Sequence, residues 1–165
     1  MPQQFRILLV DDDQALCQAL PEMLELHLPG VEVRTVNTTD DGLDEVTRRD
    51  YDLVLCDLVM PKENGAELAG RIHRLRPETI VLLITGHPKP HVYRDVTGVH
   101  GFIRKPFDRR QFIETMRRLM RFSRLQKRLR TRGCTVEDRL RLIRSFTTRL
   151  QMQLDPNRPR KSAAI

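Results

Sequence analysis

Short aliphatic and β-branched runs alternate, over the first hundred residues, with segments whose apolar positions recur every three or four residues. The short runs predict β-strands, several of them buried on both faces, and the spaced segments predict amphipathic helices. The predicted strands are Phe5 to Val10, Val31 to Val36, Asp52 to Cys56, Thr79 to Ile84 and Val99 to Ile103. The predicted helices are 14–28, 40–49, 65–75 and a less regular 90–97.

Strict alternation of strand and helix predicts an α/β domain. Each pair of neighbouring parallel strands needs a crossover, so the sheet should be mostly parallel with helices on both faces. In such sheets ligands bind beyond the carboxyl ends of the strands. We therefore expect any functional site at that edge.

From Asp108 onward the pattern is helical only. One apolar stripe covers 107–130 and ends near Gly133, and a second covers 136–154 after Thr135, which is a good N-cap residue. We expect that the sheet domain alone cannot bury both stripes. They could form a helical hairpin, pair between two chains or dock on a partner, and we favour self-association, in a homodimer through these helices.

Charge is distributed unevenly along the chain. Residues 1–103 carry 10 Lys/Arg against 17 Asp/Glu, a net −7, whereas residues 104–165 carry 19 against 5, a net +14. The basic part could bind nucleic acid or another anionic partner, or only keep the helices solvated. Only 32 residues follow Gly133, too few for a helix-turn-helix module, so sequence-specific DNA readout is not expected.

The remaining composition predicts a cytoplasmic protein. Three widely spaced cysteines form neither a disulfide framework nor a zinc pattern. The N-terminal apolar run spans only Ile7 to Val10, which fits neither a signal peptide nor a membrane span.

Oxygen-bearing and cationic side chains stand where predicted strands end. Asp11–Asp13 follow the first strand, Asp57 the third, Thr85 the fourth and Lys105 the fifth. Carboxylates from neighbouring strands can hold a hard divalent cation, and a hydroxyl with a cation can stabilise phosphoryl oxygens. This set suits phosphoryl transfer to an aspartate, with Asp57 as the nucleophile, whereas Asp13 is expected to cap the first helix.

Four motifs in this order, ILLVDDD, VLCDLVMP, LLITG and FIRKPF, resemble the signature set of receiver domains of bacterial two-component response regulators. The resemblance covers roughly residues 5–122. It implies a flavodoxin-like, doubly wound, five-stranded parallel sheet of order 2-1-3-4-5 with a C-terminal helical extension. The implied division is a receiver at 1–122, a basic helical extension at 123–154 and a disordered tail at 155–165.

The resemblance also assigns roles. Asp57 would be the phosphoacceptor, Lys105 the phosphate contact after a cis Lys105-Pro106 bond, Thr85 the switch hydroxyl and Phe102 the switch aromatic, which turns inward on phosphorylation. Pro61 and Gly65 would shape the loop after Asp57. The implied ligands of Mg²⁺ are Asp11, Asp12, Asp57 and the backbone carbonyl of Val59.

The implied function is a switch that receives its phosphoryl group from a histidine kinase or a phosphotransfer protein. Such a receiver catalyses only its own phosphorylation and dephosphorylation. Its output would be protein–protein interaction or self-association, or, alternatively, nucleic-acid binding by the Arg-rich helices. Val59 departs from the family pattern, because an apolar side chain two residues after Asp57 cannot orient an attacking water, so we expect a long-lived phosphorylated form.

The alternative interpretation is a haloacid-dehalogenase-like phosphatase. Asp11–Asp13 would then supply the nucleophile and the acid, while Thr85 and Lys105 keep similar roles. Against it, Ala15 stands where that family has Thr or Val, no acidic pair closely follows Lys105, and Asp57 is left without a role.

Overall fold

The structure, a computed structural model, describes residues 4–87, 93 and 95–154. Strands and helices alternate over most of the chain before two final helices. The strands are β1 (Phe5–Val10), β2 (Val31–Val36), β3 (Leu53–Asp57), β4 (Val59–Met60), β5 (Glu63–Asn64), β6 (Ile80–Thr85) and β7 (Gly101–Arg104). The helices are α1 (Gln14–His27), α2 (Thr39–Arg48), α3 (Gly65–Leu75), α4 (Arg109–Thr131) and α5 (Val136–Leu154).

Five strands form one parallel sheet in the order β2-β1-β3-β6-β7. Numbered along the chain without the short strands β4 and β5, this order is 2-1-3-4-5, which confirms the predicted flavodoxin-like fold. The predicted bounds of the five strands lie within two residues of the observed ones.

Alternate residues of the central strands point to opposite faces of the sheet and build two core layers. Ile7 and Leu9 of β1 pack in one layer with α1 and α4, whereas Leu8 and Val10 pack in the other with α2 and α3. All four side chains are fully buried. Burial on both faces explains why β1 reads as a continuous apolar run rather than an alternating one.

Two local expectations differ from the structure. The predicted helix 90–97 falls partly outside the described residues, and its described part, Tyr93 and 95–97, forms turns rather than an α-helix. The antiparallel hairpin of β4 and β5 was not predicted, because strands of two residues carry no periodicity. The tail at 155–165 lies outside the described residues.

The expectation that the sheet domain alone cannot bury both C-terminal stripes is wrong in part, because α5 packs on β7 as well as on α4, although Leu125 and Val136 stay exposed. Ile143 and Leu150 of α5 are 1% and 4% exposed and belong to the same core layer as α1 and α4. Burying two such side chains contributes about 3–6 kcal/mol. The helix therefore docks on its own chain, along the edge strand β7.

Polar and aromatic contacts fix this docking. The guanidinium of Arg139 forms two hydrogen bonds with the carboxylate of Glu78, at 2.6 and 3.0 Å. Phe146 of α5 stacks on Phe122 of α4 with ring centroids 4.1 Å apart. Gly133, with a positive φ of 78°, lets the chain reverse between the helices. Within the described part of the chain, no helix is long and apolar enough to cross a membrane.

Candidate functional site

Two acids meet at the carboxyl ends of β1 and β3. Val10 pairs with Cys56 in the register of these neighbouring strands, so Asp11 and Asp57, which come next, lie side by side. Asp11 is fully buried, whereas the side chain of Asp57 is 14% exposed. Asp57 is therefore the carboxylate of this pair that a reactant can reach.

The ammonium of Lys105 joins the two acids. Its Nζ donates to Oδ2 of Asp57 at 2.9 Å and to Oδ2 of Asp11 at 3.0 Å. The backbone N–H of Lys105 donates to the carbonyl of Thr85 at 2.8 Å, and the Lys105-Pro106 bond is cis, as predicted. The positive charge offsets the repulsion between the neighbouring carboxylates.

Burial and hydrogen bonding have opposite effects on the pKa values of Asp11 and Lys105. Burial raises the pKa of the Asp11 carboxyl, and hydrogen bonds from the N–H of Asp13 and from Lys105 only partly offset the rise. For Lys105, burial alone lowers the pKa, but the hydrogen bonds to Asp57 and Asp11 outweigh it and leave the pKa above its ordinary value. Lys105 is therefore charged at neutral pH.

The same edge offers ligands for a metal. Asp11, Asp12 and Asp57 each contribute a carboxylate oxygen, and these oxygens lie within 4.8 Å of one another. In an octahedral Mg²⁺ site with bonds of about 2.1 Å, opposite ligands are about 4.2 Å apart. Neighbouring ligands of such a site are about 3.0 Å apart, so the three oxygens would move closer together around one ion. An all-oxygen, anionic donor set fits a hard divalent cation.

The loop after β3 approaches Asp57 closely. The backbone N–H of Val59 donates to Oδ1 of Asp57 at 3.1 Å, and the Val59 side chain is 62% exposed. A Cβ on Gly65 would overlap the carbonyl oxygen of Asp57 and lie 2.8 Å from Sγ of Cys56, so only glycine fits there. The ligation of a metal by the carbonyl of Val59 stays a prediction.

The two predicted switch residues lie on β6 and β7. Thr85 is 1% exposed, and its hydroxyl accepts the N–H of His87 at 2.9 Å. Phe102, which was expected to turn inward on phosphorylation, is already buried, in the core layer of α2 and α3. Its backbone N–H donates to Oε1 of Gln151 on α5 at 2.7 Å. The switching roles of both residues stay predictions.

One supporting residue was missed in the sequence. Nδ2 of Asn37 donates to the backbone carbonyl of Asp11 at 3.1 Å and so helps to fix the loop that carries the acids. Asn37 directly follows β2, the neighbour of β1, and this position at the same sheet edge is the signal that could have revealed it. Asp13 caps α1 through the N–H groups of Ala15 and Leu16, as predicted.

Comparison with known proteins gives consistent similarities. Residues 7–117 match the family model of the response regulator receiver domain. Response regulator ArlR of Staphylococcus aureus is 32% identical over 136 residues, which are 80% of this chain and 60% of that protein. The chain therefore spans about three-fifths of the length of this curated relative.

Two solved structures share the fold. A CheY-like receiver domain protein from Methanospirillum hungatei JF-1 is 28% identical with a TM-score of 0.68, covering 75% of this chain and 99% of that one. Response regulator protein TrrA from Thermotoga maritima, in complex with Mg²⁺-BeF, is 29% identical with a TM-score of 0.59, covering 69% and 97%. About a quarter of this chain has no counterpart in the first structure, and about three-tenths has none in the second.

Proposed function

Because the chain belongs to the response regulator receiver domain family, we propose that it is a phosphorylation-dependent switch of a two-component system with Asp57 as its phosphoacceptor. The donor is a sensor histidine kinase or a phosphotransfer protein in the cytoplasm. The chain acts on no other substrate and catalyses only the gain and loss of its own phosphoryl group.

One observation carries this proposal. Lys105 holds Asp57 and Asp11 together at 2.9 and 3.0 Å, while Asp57 remains the more accessible of the two acids. A fixed cation beside an accessible carboxylate stabilises the charge of an incoming phosphoryl group. The haloacid-dehalogenase reading gives Asp57 no role, whereas here Asp57 is the centre of the contacts.

The reaction is a transfer between two nucleophiles. A carboxylate oxygen of Asp57 forms a P–O bond while the P–N bond of the donor phosphohistidine breaks, and the leaving ring nitrogen takes a proton from solvent. Lys105 moves with the transferred phosphoryl group and neutralises one of its oxygens. The N–H of Val59 holds the other carboxylate oxygen of Asp57, and the hydroxyl of Thr85 can turn from His87 to a phosphoryl oxygen.

A divalent cation completes the site in this proposal. Asp11, Asp12, Asp57 and the carbonyl of Val59 would hold Mg²⁺, which neutralises phosphoryl charge when bound. The Mg²⁺-BeF complex of TrrA supports this assignment, because beryllofluoride and Mg²⁺ are bound together in a relative with this fold.

Loading with a small phosphodonor tests the proposal. The chain is incubated with acetyl phosphate and Mg²⁺, and the phosphorylated fraction is read by intact mass and by peptide mapping. We expect one phosphoryl group, located on Asp57, and none without Mg²⁺. Asp57→Asn should abolish the modification, whereas Asp44→Asn, an exposed change on α2, should leave it intact.

Labelling of Asp11 or Asp12 in the parent, or full labelling of Asp57→Asn, contradicts this assignment. Hydrolysis of the phosphodonor in many turnovers by Asp57→Asn would instead support the phosphatase reading.

The signal leaves the site, in our proposal, through β7 and α5. Lys105 immediately follows β7, and α5 packs on β7 through the hydrogen bond between Phe102 and Gln151. Drawing Lys105 toward a phosphoryl group would shift β7 and weaken the docking of α5. The freed edge and the apolar stripe of α5 would then bind a partner or a second copy of the chain.

A further inference from the structure

The solvent-facing side of α4 carries a continuous row of arginines. Seven positions three or four residues apart face solvent along the whole helix and its C-cap, and one is acidic, Glu114. The others, named the arginine row here, are all exposed: Arg110, Arg117, Arg121, Arg124, Arg128 and Arg132. At 3.6 residues per turn these positions fall within an arc of about 80°. The arc is opposite the buried side of α4, which includes Phe112 and Leu119.

The stability of the fold does not explain this row. Like charges three or four residues apart destabilise a helix, and the row contains four such pairs in succession from Arg117 to Arg132. Glu114 pairs with Arg117 and Arg121 at 3.7 and 3.3 Å. Among the described residues, no carboxylate pairs with the remaining four arginines of the row. An ordinary exposed helix face would alternate the two signs of charge.

The composition of the row restricts what can bind it. A protein partner would need an apolar centre in the interface, whereas the row is made of charged side chains and is bordered by a single exposed leucine, Leu125. A single-stranded nucleic acid would need aromatic side chains for base stacking, and none lies in the row. Guanidinium groups bind phosphates in a bidentate manner, which makes arginine suited to phosphate recognition.

The dimensions and the charge also fit a duplex. From Arg110 to Arg132 the row spans about 33 Å, close to one turn of B-form DNA, about 34 Å. The net −7 over residues 1–103 repels DNA, whereas the +14 over residues 104–165 attracts it, so the chain would approach from the side of α4. We propose that the arginine row binds the phosphate backbone of double-stranded DNA without reading its sequence.

Salt dependence tests the proposal directly. The full chain is titrated into a fluorescent DNA duplex of arbitrary sequence, and anisotropy is followed from about 50 to about 200 mM salt. Six phosphate contacts predict a slope of about −5 in log K against log salt, and about a thousandfold weaker binding at the upper salt concentration. The double variant Arg124→Gln, Arg128→Gln should flatten the slope by about 2 and weaken binding at the lower salt at least about tenfold.

A matched variant separates the row from net charge. Arg144→Gln, Arg149→Gln removes the same charge from exposed positions of α5, and it should change the slope by less than about half as much. Equal losses in the two double variants would overturn the proposal, as would no binding at the lower salt. Polyglutamate of equal charge competing as well as the duplex, or a single strand binding more tightly, would overturn it too.

Discussion

The backbone N–H of Phe102 donates a 2.7 Å hydrogen bond to Oε1 of Gln151, so a side chain of α5 satisfies a polar group of the edge strand β7. A Cβ on Gly101 would lie 2.5 Å from the same oxygen, which shows how closely the helix approaches the strand. Uncovered edge strands offer unpaired backbone groups to other chains. The C-terminal helix thus occupies an edge that could otherwise bind a partner.

Gln151→Ala should loosen this docking. The Phe102 N–H loses its partner, at a cost of about 1–3 kcal/mol in the free energy of unfolding. Amide hydrogen exchange should become faster at Phe102 and along α5, with smaller changes in β1. Thr148→Ala, at an exposed position of the same helix, is the control and should exchange like the parent.

The same exchange measurement tests the output route. Beryllofluoride with Mg²⁺ should speed exchange in α5 of the parent, and Asp57→Asn should show no such response. The prediction fails if α5 exchanges equally with and without beryllofluoride while the ligand is bound.

The sequence predicted the sheet well because its signals are local. Apolar runs of strand length, with turns between them, predicted β1, β3 and β6. The four motifs identified the positions of the site acids, of Thr85 and of Lys105. The docking of α5 was not predictable in this way. An amphipathic stripe indicates that one face is buried but not what buries it, and the contact between Phe102 and Gln151 joins residues 49 positions apart.

Lys105→Met should have opposite effects on Mg²⁺ binding and on phosphorylation. Removing a positive charge from beside Asp11 and Asp57 leaves the carboxylates free for a metal, so Mg²⁺ should bind several-fold more tightly in calorimetry. Phosphorylation by acetyl phosphate should fall by about a hundredfold, because a donor to the phosphoryl oxygens is lost. Arg104→Gln removes a neighbouring exposed charge and should change neither value much. Unchanged phosphorylation in Lys105→Met would exclude its role.

Two glycines of α3 should respond in opposite directions to alanine. A Cβ at Gly65 overlaps the carbonyl oxygen of Asp57, so Gly65→Ala should destabilise the fold by at least about 2 kcal/mol and slow phosphorylation. A Cβ at Gly70 meets only the carbonyl of Thr97 at an ordinary 3.6 Å. Gly70→Ala should therefore be neutral or stabilising by up to about 1 kcal/mol. Urea denaturation measures both, and equal effects would contradict the close approach at Asp57.

Val59 should set the lifetime of the phosphorylated form. Its exposed side chain follows Asp57 by two residues and offers no hydrogen-bond acceptor to a water. Val59→Asn should therefore accelerate loss of the phosphoryl group by about tenfold, measured by mass after removal of the phosphodonor. Val59→Ala is the matched control and should decay like the parent. Decay of the parent within seconds would contradict the expectation.

Protonation of His100 should weaken the fold in mild acid. Nδ1 of His100 accepts the N–H of Val81 at 3.0 Å, which requires an unprotonated nitrogen. Burial, aided by the charge of His73, lowers the pKa of His100 to about 4 from an ordinary 6.5. Between these values the unfolded chain binds more protons than the native one, so stability is complete above about pH 6.5 and is lost as the pH falls toward about 4.

The loss of stability attributable to His100 amounts to about 3 kcal/mol. Urea denaturation at about pH 7 and about pH 4.5 measures it. His100→Asn should lose clearly less stability than the parent over this interval. An equal loss in His100→Asn would place the acid sensitivity elsewhere in the fold.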